Sequence, residues 1–133
     1  MRECGECQLC CKLERITELE KPRSKWCPHL GGHVGCTIYG ERPNSCRAFQ
    51  CWWLQNDKLP DALRPDRIGM YAAGDPAAGY LRVMVDAESE CGDRLLREIG
   101  KAGLHAIVNE GDRITFVQGN APRPTRILLD WVL

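Results

Sequence analysis

The stretch that decides this fold is Cys4-Gly5-Glu6-Cys7-Gln8-Leu9-Cys10-Cys11. Four more cysteines follow at Cys27, Cys36, Cys46 and Cys51, so that eight of the nine cysteines lie in the first 51 residues. Closely spaced thiolates hold a soft or borderline metal ion at little entropic cost, because the chain between them is short. The sequence therefore predicts a cysteine-ligated metal site in its first half.

Two other uses of these cysteines compete with metal binding. A secreted disulfide scaffold would also carry an even number, but the sequence opens with Met1-Arg2-Glu3-Cys4 and has no apolar signal-peptide core. We therefore expect a cytoplasmic protein, in which dense cysteine points to metal or redox work. Catalytic or redox-sensing thiols are the second alternative, with Cys10 and Cys11 as a candidate vicinal disulfide.

The spacing favours zinc over an iron–sulfur cluster. Cys4, Cys7 and Cys10 form the run C-x2-C-x2-C, which also begins many ferredoxin motifs. The ferredoxin pattern next requires C-x3-C-P, whereas here the neighbouring residue is Cys11. Since zinc sites in proteins commonly have four ligands, eight cysteines divide most simply into two Cys4 centres.

Two cysteine pairs bear on how the ligands divide. The adjacent Cys10 and Cys11 point in different directions on any regular backbone, so they are candidates for different centres. Cys46 and Cys51 would lie about 140° apart on a continuous helix. Either a helix ends between these two residues, or they too serve separate centres. The sequence alone does not assign the pairing.

Other side chains near the cysteines are secondary candidates. Four thiolates around a divalent ion leave a net charge of about −2, which nearby cations commonly balance. Arg42 and Arg47 flank Cys46 and are the candidates for that role, with simple solvent exposure as the alternative. His29 and His33 could each replace a cysteine as a ligand.

The remaining cysteine, one histidine and two tryptophans are interpreted as structural residues. Cys91 shares a predicted apolar helix face with Leu95 and Ile99, which indicates a buried, inert thiol. His105 falls in a predicted strand, where a structural or exposed side chain is expected. Trp52 and Trp53 are expected to pack the cysteine-rich half against the rest of the chain.

The second half has the patterning of a small mixed domain. Its predicted elements are strands at 67–73 and 80–86, a helix at 89–102 that Gly103 ends, and strands at 104–108 and 113–117. In the first half, helices are predicted over 8–19 and from Pro43 through Trp53. We expect an α+β fold: an irregular, cysteine-rich metal-binding module with short helices (1–66), packed on a β-β-α-β-β unit (67–133) as one compact domain.

Composition argues against several function classes. The chain has 18 basic and 18 acidic residues and a formal net charge of zero, so no overall charge favours nucleic acid or an anionic membrane. No apolar run approaches the length of a membrane span. The sequence has no glycine-rich phosphate loop and no arguable Ser-His-Asp order, so no catalytic site is identifiable.

The cysteine blocks resemble those of a known family. The run Cys4 to Cys11, the segment Trp26-Cys27-Pro28-His29 and the block from Gly35 to Cys51 are similar to the bacterial CxxCxxCC cysteine-cluster family. Its members are described as zinc- or iron-chelating, or iron–sulfur-cluster-containing, proteins. The resemblance implies metal chelation by all eight cysteines, without an established reaction and without fixing the metal.

Three functions are consistent with these observations. The preferred hypothesis is a zinc protein with two closed Cys4 centres, in a structural or partner-binding role. An iron–sulfur protein in electron transfer or redox chemistry is the alternative cofactor assignment. A carrier of labile metal ions is the third. Metal ions are the predicted ligands in all three, and the protein partner is left open.

Overall fold

The chain has an α+β fold, as predicted. A computed structural model describes residues 7–30, 36–49, 51–89, 92–119 and 126–128. Its α-helices are α1 (Leu9–Leu13), α2 (Asn44–Ala48), α3 (Trp52–Gln55), α4 (Pro65–Ile68) and α5 (Arg94–Lys101). Its strands are β1 (Met70–Ala73), β2 (Tyr80–Val85), β3 (His105–Glu110), β4 (Arg113–Val117) and β5 (Arg126–Leu128). Short 3-10 turns cover Thr17–Leu19, Tyr39–Glu41, Asp61–Leu63 and Pro76–Ala78.

The described strands form one mixed sheet in the order β1-β2-β3-β4-β5. Its central pair, β2 and β3, is parallel, and the other neighbours are antiparallel. A parallel pair needs a crossover, and α5 provides it between β2 and β3. Leu81 and Val83 on one face of β2 and Met84 on the other are all buried, so both faces of the sheet are covered there.

In the second half, the observed strands and helix differ from the predicted ones mainly in where they begin and end. The predicted strand 67–73 begins only at Met70, because α4 precedes it and Gly69 ends that helix with φ of 71°. The helix predicted over 89–102 is α5, which begins at Arg94 and has Leu95 and Ile99 buried. Gly103 follows it with φ of 78°, as a C-terminal glycine should. Cys91 lies outside the described residues, and β5 was not predicted.

The first half is more broken than predicted. The helix expected over 8–19 is only α1, which ends at Leu13 before a separate turn at Thr17–Leu19. The helix expected from Pro43 is two helices, because Phe49 has extended φ and ψ of −68° and 130°. Cys46 in α2 and Cys51 before α3 are therefore not on one continuous helix. None of the helices in the described ranges is long and apolar enough to cross a membrane.

One hydrophobic core connects the two halves. Leu9 and Leu13 of α1 and Trp52 and Trp53 of α3 belong to the same buried cluster as the sheet residues. Trp53 also donates its indole N–H to the carbonyl of Pro60 at 3.3 Å. The two tryptophans thus pack α3 against the sheet, where α3 contacts β1.

A buried ion pair also ties α1 to the end of β2. Lys12 is only 6% exposed, and its Nζ lies 3.1 Å from both carboxylate oxygens of Asp86. Nζ also lies 2.8 Å from Oε2 of the exposed Glu88. Burial opposes ionisation of Asp86, but the Glu88 N–H and the Lys12 ammonium outweigh it and hold the pKa of Asp86 below its usual value. The neighbour of Cys11 in sequence is thereby fixed to the sheet.

We predict that Lys12→Met destabilises the fold by about 3 kcal/mol, because it leaves Asp86 as a buried charge with its main cationic partner removed. Urea unfolding followed by circular dichroism measures the difference. Lys101→Met is the matched control: Lys101 pairs with Glu98 at the surface and its loss should cost less than about 1 kcal/mol. Equal losses in both variants would contradict the assignment of a structural ion pair at Lys12.

Candidate metal centre

None of the seven described cysteines is in a disulfide; they are Cys7, Cys10, Cys11, Cys27, Cys36, Cys46 and Cys51. Neither the disulfide scaffold nor the vicinal disulfide is formed among them. Cys10 and Cys11 interact through a side-chain hydrogen bond instead. The predicted ligand Cys4 and the excluded Cys91 lie outside the described residues. Six of the seven are partly buried, and Cys51 is buried.

One set of thiols, which we call the Cys46 group, consists of Cys11, Cys27, Cys36 and Cys46. Burial raises the pKa of Cys46, and the charges of Cys11, Cys27 and Cys36 raise it further. Such an effect requires Cys11, Cys27 and Cys36 each to lie near Cys46. Main-chain bonds support this, since the Cys27 N–H donates to the Cys11 carbonyl at 3.0 Å and Cys36 forms a β-bridge with Leu30.

A carboxylate fixes the helix that carries Cys46. Glu18 accepts the Ser45 N–H at 2.9 Å and the Ser45 hydroxyl at 2.6 Å. These two bonds connect the turn after α1 to the first turn of α2. These bonds help to fix the position of Cys46, which directly follows Ser45 and lies near Cys11. Neither Glu18 nor Ser45 was singled out from the sequence, because their contact joins residues 27 positions apart.

The other set, the Cys51 group, consists of Cys7, Cys10 and Cys51. Cys51 forms a β-bridge with Ala73 of β1, which places it against the sheet. The sulfur of Cys7 accepts the backbone N–H groups of Leu9 and Asp66, and Cys51 lies close enough to influence its charge. Burial dominates over these N–H donors and raises the pKa of Cys7 to about 11.

Cys10 and Cys11 hydrogen-bond to each other through their side chains, yet their other cysteine neighbours differ. In addition to burial, the charges of Cys10 and Cys51 raise the pKa of Tyr71, whereas the charge of Cys11 raises the pKa of Cys46. The physical reason is helical geometry, since successive side chains of α1 are turned by about 100°. Cys46 and Cys51 separate in the same way, because α2 ends at Ala48.

A buried lysine lies beside both groups. Lys21 is 4% exposed, and its Nζ donates to the carbonyls of Lys12 at 3.0 Å, of Pro22 at 3.0 Å and of Glu14. Burial lowers the pKa of Lys21, whereas the charges of Cys27, Cys11 and Cys10 raise it. Lys21 is thus a cation placed among thiols. Lysine is ordinarily exposed, so nothing in the sequence distinguishes Lys21 as a buried cation.

The two predicted charge-balancing arginines have different surroundings. The guanidinium of Arg42 stacks 3.9 Å from the centre of the Tyr39 ring. The hydrogen bond from Cys10 lowers the pKa of Cys11 most, and Lys21 and Arg42 lower it further. Arg47 instead donates to the Gly40 carbonyl at 3.2 Å. Arg42 therefore lies near Cys11, while the described contact of Arg47 is with the main chain. Charge balance by either arginine stays a prediction.

The hydrogen bonds of His29 and His105 are with residues other than cysteine. The His29 carbonyl accepts the N–H and the hydroxyl of Thr37 at 2.8 and 2.7 Å, which fixes the chain next to Cys36. Metal ligation by the His29 ring stays a prediction, and His33 lies outside the described residues. Nδ1 of His105 accepts the Gly119 N–H at 2.8 Å, which is a structural role.

Cysteine thiolates are ligands that soft and borderline metal ions prefer, so the donor set is compatible with such an ion. Within the described ranges, no three His, Cys, Asp or Glu side chains are arranged so that they could already hold a metal ion. A complete cage need not exist beforehand, because metal binding and the closing of the ligand shell are coupled. The seven thiols, the N–H donors on Cys7 and the buried Lys21 are the components that thiolate sites use.

We predict that Lys21→Met destabilises the metal-free protein by about 2 kcal/mol, because three main-chain carbonyls lose their shared donor. Thermal unfolding in the presence of a chelator measures this loss. Lys25→Met, at an exposed position of the same loop, should change the unfolding temperature little. Indistinguishable variants would mean that Lys21 does not organise the loop.

Comparisons of the chain with protein-family models, with curated proteins and with solved structures gave no significant match. The resemblance to the CxxCxxCC cysteine-cluster family thus stays a prediction from the quoted cysteine blocks.

Proposed function

We propose that this chain is a zinc-binding protein of the cysteine-cluster type that chelates about two ions through eight cysteines. The observation that carries the proposal is the clustering of the described thiols, with Cys11, Cys27 and Cys36 near Cys46, and with Cys51 near Cys7. Two sets are what two Cys4 centres require. Residues 1–66 would form the metal-binding module, packed on the unit 67–133.

The ligand assignment follows from the groups. Cys11, Cys27, Cys36 and Cys46 would supply one complete set of four thiolates. Cys7, Cys10 and Cys51 would supply three ligands of the other set, and Cys4 is the candidate for the fourth because it precedes Cys7 by one C-x2-C step.

The surroundings of the thiols favour closed, structural sites. Lys21 and Arg42 lie near Cys11 and balance part of the negative charge that four thiolates bring. The N–H groups of Leu9 and Asp66 are directed at the Cys7 sulfur and would stabilise its thiolate form. A divalent zinc ion with four protein ligands has no open position for chemistry, so its contribution is to cross-link chain segments that have little regular structure.

The proposed role is therefore to organise the N-terminal half, for its own stability or to present a surface to a partner. A reducing cytoplasm is the compartment in which free thiols of this density persist. An iron–sulfur centre in electron transfer remains the alternative cofactor assignment, and the metal content of the purified protein distinguishes the two.

Protein purified under anaerobic conditions should be colourless and contain about two zinc ions per chain, as expected for two Cys4 sites. Elemental analysis together with the visible spectrum makes this measurement. A brown sample with iron, sulfide and absorption near about 400 nm would replace zinc by an iron–sulfur cluster. A sample that takes up neither metal would refute the proposal.

The grouping of the ligands predicts a pattern of losses in double variants. Cys36→Ser with Cys46→Ser removes two ligands of one group and should leave about one zinc per chain. Cys7→Ser with Cys46→Ser removes one ligand of each group and should abolish zinc binding. Cys91→Ser is the control and should retain the wild-type metal content. Titration with Co²⁺, followed through its thiolate charge-transfer absorption, reports the number of sites that remain.

Equal losses in the two double variants would show that the groups are not separate centres. A single Cys46→Ser variant that kept full metal content and stability would contradict the eight-ligand assignment altogether.

A further inference from the structure

Tyr71 of β1 has a feature that packing alone does not explain. Its side chain is 1% exposed, and its hydroxyl is buried with no hydrogen-bond partner. Burying a hydroxyl without a partner costs about 1–3 kcal/mol. A phenylalanine would fill the same space without that cost, so the hydroxyl calls for a hydrogen-bond acceptor.

The surroundings of Tyr71 identify the candidate acceptors. The β-bridge between Cys51 and Ala73 brings Cys51 alongside the strand that carries Tyr71. Phe49 lies on the same side and meets the Tyr71 ring edge to face, with ring centres 5.4 Å apart. Cys10 packs against the same buried cluster.

The charges of Glu14, Cys10 and Cys51 all act on the phenol, that of Glu14 most strongly. The Glu14 carboxylate already accepts two hydrogen bonds from the Arg82 guanidinium, at 2.7 and 3.1 Å, which leaves the two cysteines as the candidates.

Neutral thiols are weak hydrogen-bond acceptors, whereas thiolates are strong ones. Ligation requires Cys10 and Cys51 to lose their protons, so it creates negative sulfur next to an unused O–H donor. A rotation of either cysteine about its Cα–Cβ bond changes the position of the sulfur without moving the main chain.

We propose that the Tyr71 hydroxyl is a hydrogen-bond donor reserved for a thiolate of the Cys51 group, to Cys10 or Cys51, and that it strengthens metal binding at that centre alone. This inference rests on the proposed zinc function and adds to it a named donor and a difference between the two centres. Outer-shell donors of this kind commonly change metal affinity by about 10- to 100-fold.

The structure provides a close control. Thr115 of β4 is 5% exposed and also has a buried hydroxyl with no partner. It lies three strands away from β1, which corresponds to roughly 14 Å across the sheet. Tyr71→Phe and Thr115→Val therefore remove the same kind of group, one beside the cysteines and one far from them.

The test compares the full-length wild type, Tyr71→Phe and Thr115→Val by competition of a chromophoric chelator for zinc, and by thermal unfolding with and without zinc. We expect Tyr71→Phe to weaken one of the two sites by about tenfold, while the metal-free protein keeps or gains stability. Thr115→Val should leave both affinities unchanged. In the Cys46→Ser background, Tyr71→Phe should weaken the remaining site; in the Cys7→Ser background it should not.

Wild-type affinities in Tyr71→Phe would overturn the inference while leaving the zinc function intact. So would equal weakening in Thr115→Val, because the effect would then not depend on the cysteines. A loss of stability in metal-free Tyr71→Phe with unchanged affinity would mean that a buried water already satisfies the hydroxyl. Failure of the wild type itself to bind zinc would instead refute the proposed function.

Discussion

The N-terminal half is constrained by the cost of bringing many thiols out of water. A buried thiol must stay protonated, or its charge must be balanced by a metal ion, a cation or N–H donors. Cys7 and Cys11 illustrate the two solutions. Burial raises the pKa of Cys7, whereas a hydrogen bond from Cys10 and the positive charges of Lys21 and Arg42 lower the pKa of Cys11. The irregular loops of this half are arranged around that balance.

The sheet supplies the rigid support for these loops. Cys51 pairs with β1, the N–H of Asp66 in α4 reaches Cys7, and Lys12 of α1 pairs with Asp86 at the end of β2. The hydrophobic core is continuous from α1 to the sheet. Helices of four or five residues gain little stability from their own hydrogen bonds, so these contacts determine where the cysteines lie. The sheet already fixes part of the N-terminal half through these contacts. In the proposal, metal ions would add further cross-links within that half.

The sequence predicted the regular half better than the cysteine-rich half. Alternating apolar residues identified β2, and the helical spacing of Leu95 and Ile99 identified α5. Strand β1 was placed too early, because α4 interrupts the apolar pattern, and β5 was missed. The sequence allows a break between Cys46 and Cys51 but does not place it at Phe49, since no proline or glycine occupies that position.

The candidate ligands were predictable by type, but not their arrangement. Cysteine spacing and the direction of adjacent side chains suggested two groups without assigning members. Cys27 and Cys36 join Cys11 and Cys46 through loops whose path depends on contacts such as Glu18 with Ser45. The sequence does not identify Lys21 or Tyr71 as parts of the site for a related reason. Both are buried beside cysteines that the fold brings close to them, and their own sequence positions do not predict this. Composition alone gives no such information.

X-ray absorption at the zinc edge of the purified protein tests the central claim most directly. The account predicts a first shell of about four sulfur atoms at about 2.3 Å, with no nitrogen or oxygen scatterers, as for Cys4 zinc. A shell containing nitrogen or oxygen would mean that histidine, carboxylate or water replaces cysteine ligands. The absence of bound zinc, with iron present in its place, would contradict the account.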